Sequence, residues 1–302
     1  MNLLVTGAFP IGEQERLFFS EHGYHVTVQP DEQAQTAQPE QYDAVICNGL
    51  FLYNDIARFQ KLSVIQLTSA GRDRLPADYI RAHAVKVFTA ADAYSAPMAE
   101  WAMYGLLSIF KNARFFLENQ QRRVWAKDRN ILELSGKHAV IYGFGNAGQA
   151  VARRLKAFDC RITAVDIRKT LSPYADDFVY IGNADTVLPR ADIVIITLPL
   201  TRDTTGYFHA ARLDLMKDTA AIVNIARGKL IDENALCEAL KSGKFLGAAL
   251  DVCQEEPLLD SSPLWGFDNV YITPHNSFIG DGNRNRLWTI IQKNLTESRN
   301  AQ

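Results

Sequence analysis

Three glycines at a regular spacing are the first feature of this sequence that could bind a ligand. Gly143, Gly145 and Gly148 fit the pattern G-x-G-x-x-G, which is a weak signal by itself because glycines gather in many turns. An apolar run precedes the loop and a helical stretch follows it, so backbone N–H groups and the positive end of a helix would face a pyrophosphate. In this context we interpret the loop as a dinucleotide-binding turn.

An acidic residue at a suitable distance supports this interpretation. The next apolar run ends at Asp166, and a carboxylate about 20 residues after the glycines typically accepts hydrogen bonds from the adenosine ribose. A carboxylate disfavours the additional phosphate of NADP, although Arg168 and Lys169 could soften the repulsion. We therefore predict NAD as the cofactor. A methyltransferase with a similar loop is the alternative from another class.

The elements that must position this loop have the pattern of a parallel α/β domain. Five runs in the second part of the chain are almost continuously apolar, as strands covered on both faces must be. A doubly wound sheet is the simplest arrangement for them. The five runs are residues 137–141, 161–165, 192–196, 221–224 and 270–272.

A first series of short β-branched runs precedes this domain, at residues 3–5, 25–28, 43–46 and 63–67, and predicts another parallel unit. Between the two series we expect a long helix that begins at Ser95 as its N-cap, with Pro97 in its first turn. Its apolar residues follow one face from Met98 to Ala113 and indicate packing. A final helix over residues 284–298 could pack on either domain.

Composition sets limits on the class of protein. A chain of 302 residues with 47% hydrophobic and 22% charged residues is typical of two globular domains. The formal net charge of −2 gives no attraction to nucleic acid or to an anionic membrane, and without a leader or a long apolar run we expect a cytoplasmic protein. The four cysteines lack metal-ligand spacing, so we predict buried, reduced thiols and no metal.

Five further motifs carry a resemblance to the D-isomer-specific 2-hydroxyacid dehydrogenases, among them glyoxylate/hydroxypyruvate reductases and phosphoglycerate dehydrogenases. They occur in the family's order, which makes chance agreement improbable. The resemblance implies an α/β protein with two doubly wound parallel-sheet domains. A flavodoxin-like substrate-binding domain would take residues 1–95 and 282–302, and a Rossmann NAD-binding domain residues 96–281. The motifs are LSGK at 134–137, TLPLT at 197–201, NIARG at 224–228, LDVCQEEP at 250–257 and TPH at 273–275.

The resemblance implies three catalytic residues, Arg227, Glu256 and His275. A guanidinium can bind the carboxylate of a 2-keto acid while it polarises the neighbouring carbonyl toward hydride attack. Histidine has the pKa best suited to protonate the resulting alkoxide, and a carboxylate beside it favours the protonated ring. Each residue alone has an ordinary structural explanation, but all three follow apolar strands, where the loops of a parallel sheet surround a ligand. Glu255 is expected to face solvent.

The same resemblance implies the rest of the site. The turn after the fourth strand would hold the substrate carboxylate through the N–H groups of Ala70 and Gly71, together with Arg227 and His275. The other residues expected to contact the cofactor lie in the glycine loop, in the later motifs and at Asp251, whose predicted partner is the carboxamide. They are Asn146, Ala147, Thr197, Leu198, Pro199, Ile225, Ala226 and Asp251.

The function predicted is the NAD-dependent reduction of a small, unphosphorylated 2-keto acid, with His275 as the acid. Phosphoglycerate dehydrogenase is one alternative, but residues 47–51 and 65–68, where such relatives carry basic side chains, hold no cation, and Arg72 is alone nearby. A dehydrogenase-like protein that senses NAD without turnover is another alternative. By resemblance, and because the helix after Ser95 is unusually apolar, we expect a homodimer joined through the cofactor domain, with Trp125 near the partner's cleft.

Overall fold

The first five strands of the chain form one parallel sheet in the order β2-β1-β3-β4-β5. This order is that of flavodoxin-like domains, in which the chain reverses its direction of winding between β1 and β3. The strands are β1 (Asn2–Thr6), β2 (His25–Gln29), β3 (Ala44–Cys47), β4 (Val64–Leu67) and β5 (Lys86–Phe88).

The remaining strands form a second parallel sheet in the order β12-β11-β10-β9-β6-β7-β8. Six of them have the Rossmann order, with the reversal between β6 and β9. The fold predicted from the sequence, two doubly wound parallel sheets, is confirmed. The strands are β6 (His138–Tyr142), β7 (Arg161–Asp166), β8 (Asp177–Tyr180), β9 (Ile193–Ile196), β10 (Ala221–Asn224), β11 (Gly247–Leu250) and β12 (Val270–Ile272).

This computed structural model describes residues 1–300, the side chain of Asn300 excepted. It divides into two compact units, one with residues 1–94 and the chain from Asp281 onward, the other with Ser95–Gly280. None of the helices within residues 1–300 has the length and apolar character needed to cross a bilayer. The helices are α1 (Glu13–Glu21), α2 (Ala77–Ala82), α3 (Ala91–Phe110), α4 (Ala113–Arg122), α5 (Asn146–Lys156), α6 (Ala210–Leu215), α7 (Glu233–Lys241) and α8 (Asn283–Asn300).

The final helix packs on the first unit, a placement that its residue pattern alone left open. Leu287, Ile291 and Leu295 of α8 are buried against the core residues of the first sheet. The side-chain amide of Asn294 also donates to Oε1 of buried Gln66 on β4 at 2.8 Å. The chain therefore returns to its first unit after completing the second.

The expected start of the long helix is wrong. Helix α3 begins at Ala91, so Pro97 lies inside it and Ser95 is not its N-cap. Proline has no N–H to donate to the carbonyl four residues earlier, and the guanidinium Nε of Arg286 donates to that carbonyl, Ala93 O, at 2.8 Å. A group from α8 replaces the missing helical bond, which a local reading of the sequence could not anticipate.

The apolar residues from Met98 to Ala113 also do not lie on a single helix. Helix α3 ends at Phe110, and α4 starts after Asn112, which has a left-handed backbone with φ of 49°. Asparagine is one of the few residues that adopts this conformation readily.

Three of the strands had no clear signal in the sequence. Strands β5 and β8 are short and partly exposed, and β11 consists mainly of Gly and Ala.

Candidate active site

The glycine loop joins β6 to α5 at the point where the second sheet reverses its winding. Gly143 has φ of +89°, and a Cβ there would lie 2.7 Å from the backbone of Thr197, so only glycine fits. Gly148 is equally constrained, since a Cβ would lie 2.1 Å from Gly143 O. These two glycines let the strand, the loop and the helix approach one another closely.

Thr197 fastens this loop from the end of β9. Its hydroxyl lies 2.5 Å from Gly143 O and 3.1 Å from Tyr142 O, and its amide donates to Tyr142 O. The resemblance implied that Thr197 contacts the cofactor. Its hydroxyl holds the backbone of the glycine loop, while the cofactor contact stays a prediction.

Asp166 stands at the end of β7, next to the glycine loop. Its carboxylate accepts hydrogen bonds from the N–H of Phe144 at 2.6 Å and of Ile167 at 2.6 Å. The acid is therefore fixed beside the turn that the motif predicted, and the two bonds leave further lone pairs on its oxygens. Arg168 and Lys169 follow it and are exposed.

The glycine loop is open on the side of Gly145. A Cβ on Gly145 would meet no other atom within 4 Å, so this glycine borders open space at the first turn of α5. Glycine there keeps the backbone accessible to a phosphate, and the helix start supplies N–H donors and a positive partial charge. Gly143, Gly145, Gly148 and the carboxylate of Asp166 are thus suitable for binding the dinucleotide that NAD and NADP share.

Arg227 follows β10, and its backbone is held by the loop motif itself. The amide of Asn224 donates to Arg227 O at 3.0 Å, and its Oδ1 accepts from Ala226 N at 3.0 Å. A Cβ on the next residue, Gly228, would lie 1.9 Å from Cys253 C, so the loops after β10 and β11 touch at this glycine. Arg227 is partly exposed, and its Nη1 donates to Ala226 O at 2.8 Å.

Glu256 and His275 form the direct pair expected from the sequence. Oε2 of Glu256 lies 2.8 Å from Nδ1 of His275, with 40% and 35% of the two side chains exposed. The other carboxylate oxygen accepts from Cys253 N at 3.2 Å. A bond at Nδ1 leaves Nε2 as the ring nitrogen available for proton exchange. The neighbouring Glu255 is exposed.

Asp251 has a structural role that the sequence did not indicate. Although only 1% exposed, its carboxylate accepts from the hydroxyl of Thr273 at 2.5 Å and from the N–H groups of Asn276 and Ser277 at 2.7 and 2.9 Å. Its carbonyl accepts from His275 N at 2.7 Å, where His275 has a left-handed φ of 51°. Asp251 therefore holds the loop that carries the histidine, while its contact with the carboxamide stays a prediction.

A cavity of about 440 Å³ adjoins the Glu256–His275 pair, with apolar walls that include Leu258, Trp265 and Ile272. Cys253 also lines it, and burial, followed by nearby carboxylates, raises the pKa of its thiol to about 12. The thiol is therefore protonated at neutral pH and is a poor nucleophile. All four cysteines are buried and unpaired, as predicted.

In the first unit, Ala70 and Gly71 lie in the turn after β4. Ser69 stabilises this turn, since its hydroxyl donates to Gly71 O at 3.1 Å and its carbonyl accepts from Ala90 N at 2.9 Å. The N–H groups of Ala70 and Gly71 donate no hydrogen bond to any group within residues 1–300. Such N–H groups are suited to bind a carboxylate.

Comparison with known proteins assigns the family. Residues 103–277 match the model of the D-isomer specific 2-hydroxyacid dehydrogenase family, NAD binding domain. The chain belongs to this family, whose members are NAD(P)-dependent oxidoreductases.

Two curated relatives and one solved structure illustrate the likeness. The chain is 35% identical over 260 residues to the D-3-phosphoglycerate dehydrogenase of Methanocaldococcus jannaschii, covering 83% of this chain and 48% of that protein. It is 32% identical over 243 residues to the glyoxylate reductase of Pyrococcus furiosus, covering 78% of this chain and 72% of that one. A D-isomer specific 2-hydroxyacid dehydrogenase from Xanthobacter autotrophicus Py2, in complex with NADPH and MES, superposes with a TM-score of 0.78 at 26% identity, covering 96% and 92% of the two chains. The chain thus spans about half the length of the phosphoglycerate dehydrogenase it matches.

Proposed function

We propose that this protein is an NAD-dependent 2-keto acid reductase that forms a D-2-hydroxy acid. The observation that carries the proposal is the Glu256–His275 pair, 2.8 Å apart at the carboxyl edge of the sheet that also presents the glycine loop. Family membership supports the same reaction. A methyltransferase, the alternative from another class, has no use for the Arg, Glu and His set.

The roles of the side chains follow from the chemistry of the substrate. A bound dihydronicotinamide supplies the hydride that reduces the carbonyl carbon. Arg227 binds the carboxylate and the carbonyl oxygen of the keto acid and stabilises the negative charge that develops on that oxygen. Protonated His275 donates from Nε2 to the alkoxide, and Glu256 at Nδ1 orients the ring and stabilises its cationic form. Ala70 and Gly71 would hold the substrate carboxylate through their N–H groups.

The substrate we propose is unphosphorylated, such as glyoxylate, hydroxypyruvate, pyruvate or a branched analogue. Arg72 directly follows the carboxylate turn, and it already donates to Val87 O at 3.0 Å. A phosphate dianion is usually bound by more than one basic residue. The relatives named above include both a glyoxylate reductase and a phosphoglycerate dehydrogenase.

The experiment that tests the function is the oxidation of NADH by a panel of 2-keto acids. We expect unphosphorylated acids to give a kcat/KM at least ~10-fold above that of 3-phosphohydroxypyruvate. Arg227→Lys should reduce the rate severely, because an ammonium cannot reproduce the two-point contact. Preference for the phosphorylated acid would favour a phosphoglycerate dehydrogenase. No turnover with any acid would favour an NAD-sensing protein.

For the cofactor we propose NAD rather than NADP, because the carboxylate of Asp166 would repel a 2′-phosphate. A family member of known structure binds NADPH, so the choice depends on this chain's own residues. We expect Asp166→Ala to gain kcat/KM with NADPH relative to NADH. A wild type that already prefers NADPH would contradict the proposal and would indicate that Arg168 and Lys169 dominate.

We also propose that two copies of the chain associate through the cofactor domain. Tyr104 of α3 and Leu117 of α4 are 57% and 58% exposed, and Trp125 beyond α4 is fully exposed. Burial of this apolar surface would stabilise a dimer. The cytoplasmic location expected from the sequence stays a prediction.

A further inference from the structure

In the first unit, backbone N–H groups and a hydroxyl form a site that can bind an anion, and the carboxylate of Glu32 already occupies it. Oε1 of Glu32 accepts from Asn48 N at 2.7 Å, and Oε2 accepts from Gly49 N at 2.7 Å. Thr6 at the end of β1 donates its hydroxyl to Oε1 at 2.7 Å. Consecutive N–H groups of this kind are a common way to bind carboxylates and phosphates.

The position of this carboxylate within the sheet is significant. It bridges the carboxyl ends of β1 and β3, between which the first sheet reverses its winding. Ligands of doubly wound sheets bind in the crevice at that point. Glu32 therefore places a negative charge where the topology favours a ligand.

The same charge lies beside the turn proposed to hold the substrate carboxylate. Strands β3 and β4 are paired with Cys47 opposite Leu67, and Thr68 N donates to Cys47 O at 2.9 Å. Asn48 follows Cys47 directly, and Ala70 lies two residues beyond Thr68, so the two loops leave the same edge of the sheet from neighbouring strands and begin about one strand spacing, ~5 Å, apart. A substituent that extends from the turn after β4 toward β3 would therefore approach the loop whose N–H groups hold the Glu32 carboxylate.

The loop after β3 offers no charge to compensate. Its residues 48–52 include no cation, and Oδ1 of Asn48 is buried without a hydrogen-bond partner among residues 1–300. An anion brought there would meet a carboxylate and a further acceptor in place of donors. Removal of the carboxylate would free the N–H groups of Asn48 and Gly49.

We propose that Glu32 is a specificity-determining residue, which selects for 2-keto acids with a neutral substituent beyond C2 by occupying the position that an anionic substituent would need. This inference rests on the proposed function. It goes beyond the absence of basic residues, because it assigns the discrimination to a repulsive side chain that can be removed.

The test compares hydroxypyruvate with 3-phosphohydroxypyruvate, which differ by the phosphoryl group. For Glu32→Gln we expect the ratio of kcat/KM for the phosphorylated acid to that for hydroxypyruvate to rise at least about fivefold, because one repulsive charge is removed. Glu32→Asp keeps the charge and should keep the ratio of the wild type. Asp31→Asn makes the same change in net charge at the adjacent residue, whose side chain bonds Gln33 N instead, and should change the ratio less than twofold.

A second readout does not require turnover of the phosphorylated acid. We expect 3-phosphoglycerate to inhibit hydroxypyruvate reduction by Glu32→Gln with a Ki at least about fivefold lower than for the wild type. If Glu32→Gln does not fold, Glu32→Ala is used with inorganic sulfate, which should raise the melting temperature of that variant but not of the wild type.

The outcomes separate this inference from the proposed function. A wild type that reduces no 2-keto acid overturns the proposed function. An active wild type whose discrimination is the same in Glu32→Gln and Asp31→Asn overturns the role of Glu32 alone. Equal loss of discrimination in Glu32→Asp would also overturn it, since the charge is retained there.

Discussion

His275 illustrates how individual residues create the site. Its imidazole bonds Glu256, while its backbone has a left-handed φ of 51° and donates to Asp251 O. Backbone conformations of this kind are uncommon for residues with a Cβ and persist where surrounding contacts compensate for them. The buried carboxylate of Asp251 supplies those contacts through the loop that follows.

At this scale we expect His275→Ala to lower kcat by at least ~100-fold, since the proton donor is lost. NADH binding, measured by fluorescence titration, should be nearly unchanged because the histidine is not part of the glycine loop. His209→Ala is the matched control, since His209 is an exposed histidine of the same unit. Near-normal turnover of His275→Ala would refute the assignment.

Between elements, the contact of Arg286 with helix α3 replaces a hydrogen bond that Pro97 cannot make. Ala93 is fully buried, so its carbonyl would otherwise lack a partner in the interior. A buried carbonyl without a donor costs roughly 1–3 kcal/mol. Arg286, which donates to this carbonyl, lies on α8, almost 200 positions later in the chain.

This contact can be measured with a double-mutant cycle in urea unfolding. We expect Arg286→Met to lower the free energy of unfolding by about 1–3 kcal/mol. In a Pro97→Ala background the loss should be smaller, because the N–H of the new alanine can donate to Ala93 O. Equal losses in both backgrounds would mean that Arg286 stabilises the protein through other contacts.

Asp192 connects two strands of the second sheet and predicts a pH effect. Its carboxylate accepts from His138 N at 2.9 Å and from Lys217 Nζ at 2.7 Å. Burial acts to raise the pKa of this carboxyl, but these hydrogen bonds outweigh it and the pKa lies below its usual range. Because folding lowers the pKa, the stabilisation is present above the unfolded-state pKa of about 4 and is lost as the pH falls through the folded-state pKa.

We therefore expect Asp192→Asn to lower the free energy of unfolding at pH 7 by about 1 kcal/mol. The difference from the wild type should shrink as the pH falls below about 4, where the wild-type carboxyl also becomes protonated. Asp214→Asn, an exposed acid of the same unit, is the control. A difference that does not depend on pH would contradict the assignment to charge.

For the whole molecule, the proposed dimer is the property to test first. Light scattering at micromolar concentration should give the mass of two chains, and Leu117→Glu should shift it toward one, because a charge would enter the apolar interface. Leu171→Glu alters another exposed leucine of the same unit and should leave the mass unchanged. A wild type that is a stable monomer would overturn the proposal.

Local patterns determined much of this protein. Apolar runs indicated nine of the strands, because strands buried on both faces must be apolar, and the fixed spacing of Gly143, Gly145 and Gly148 located the turn at the sheet's reversal point. The Glu256–His275 pair was foreseen from the LDVCQEEP and TPH motifs that carry the family resemblance, although β11, the strand before Glu256, gave no signal of its own. Short strands, and strands rich in Gly and Ala such as β11, gave no signal in the sequence. Such segments become strands because they form hydrogen bonds with the neighbouring strands of the sheet.

Contacts between distant segments were decided only by the tertiary structure. Helix α3 runs through Pro97 because Arg286 satisfies Ala93 O, and Glu32 lies in the crevice between β1 and β3 because two loops meet there. Asp251 likewise anchors the loop that carries His275 through a hydrogen bond from Asn276, a residue 25 positions later in the chain. Hydrogen bonds between residues far apart in the chain leave no periodic trace in a sequence, since either partner alone looks like an ordinary polar residue.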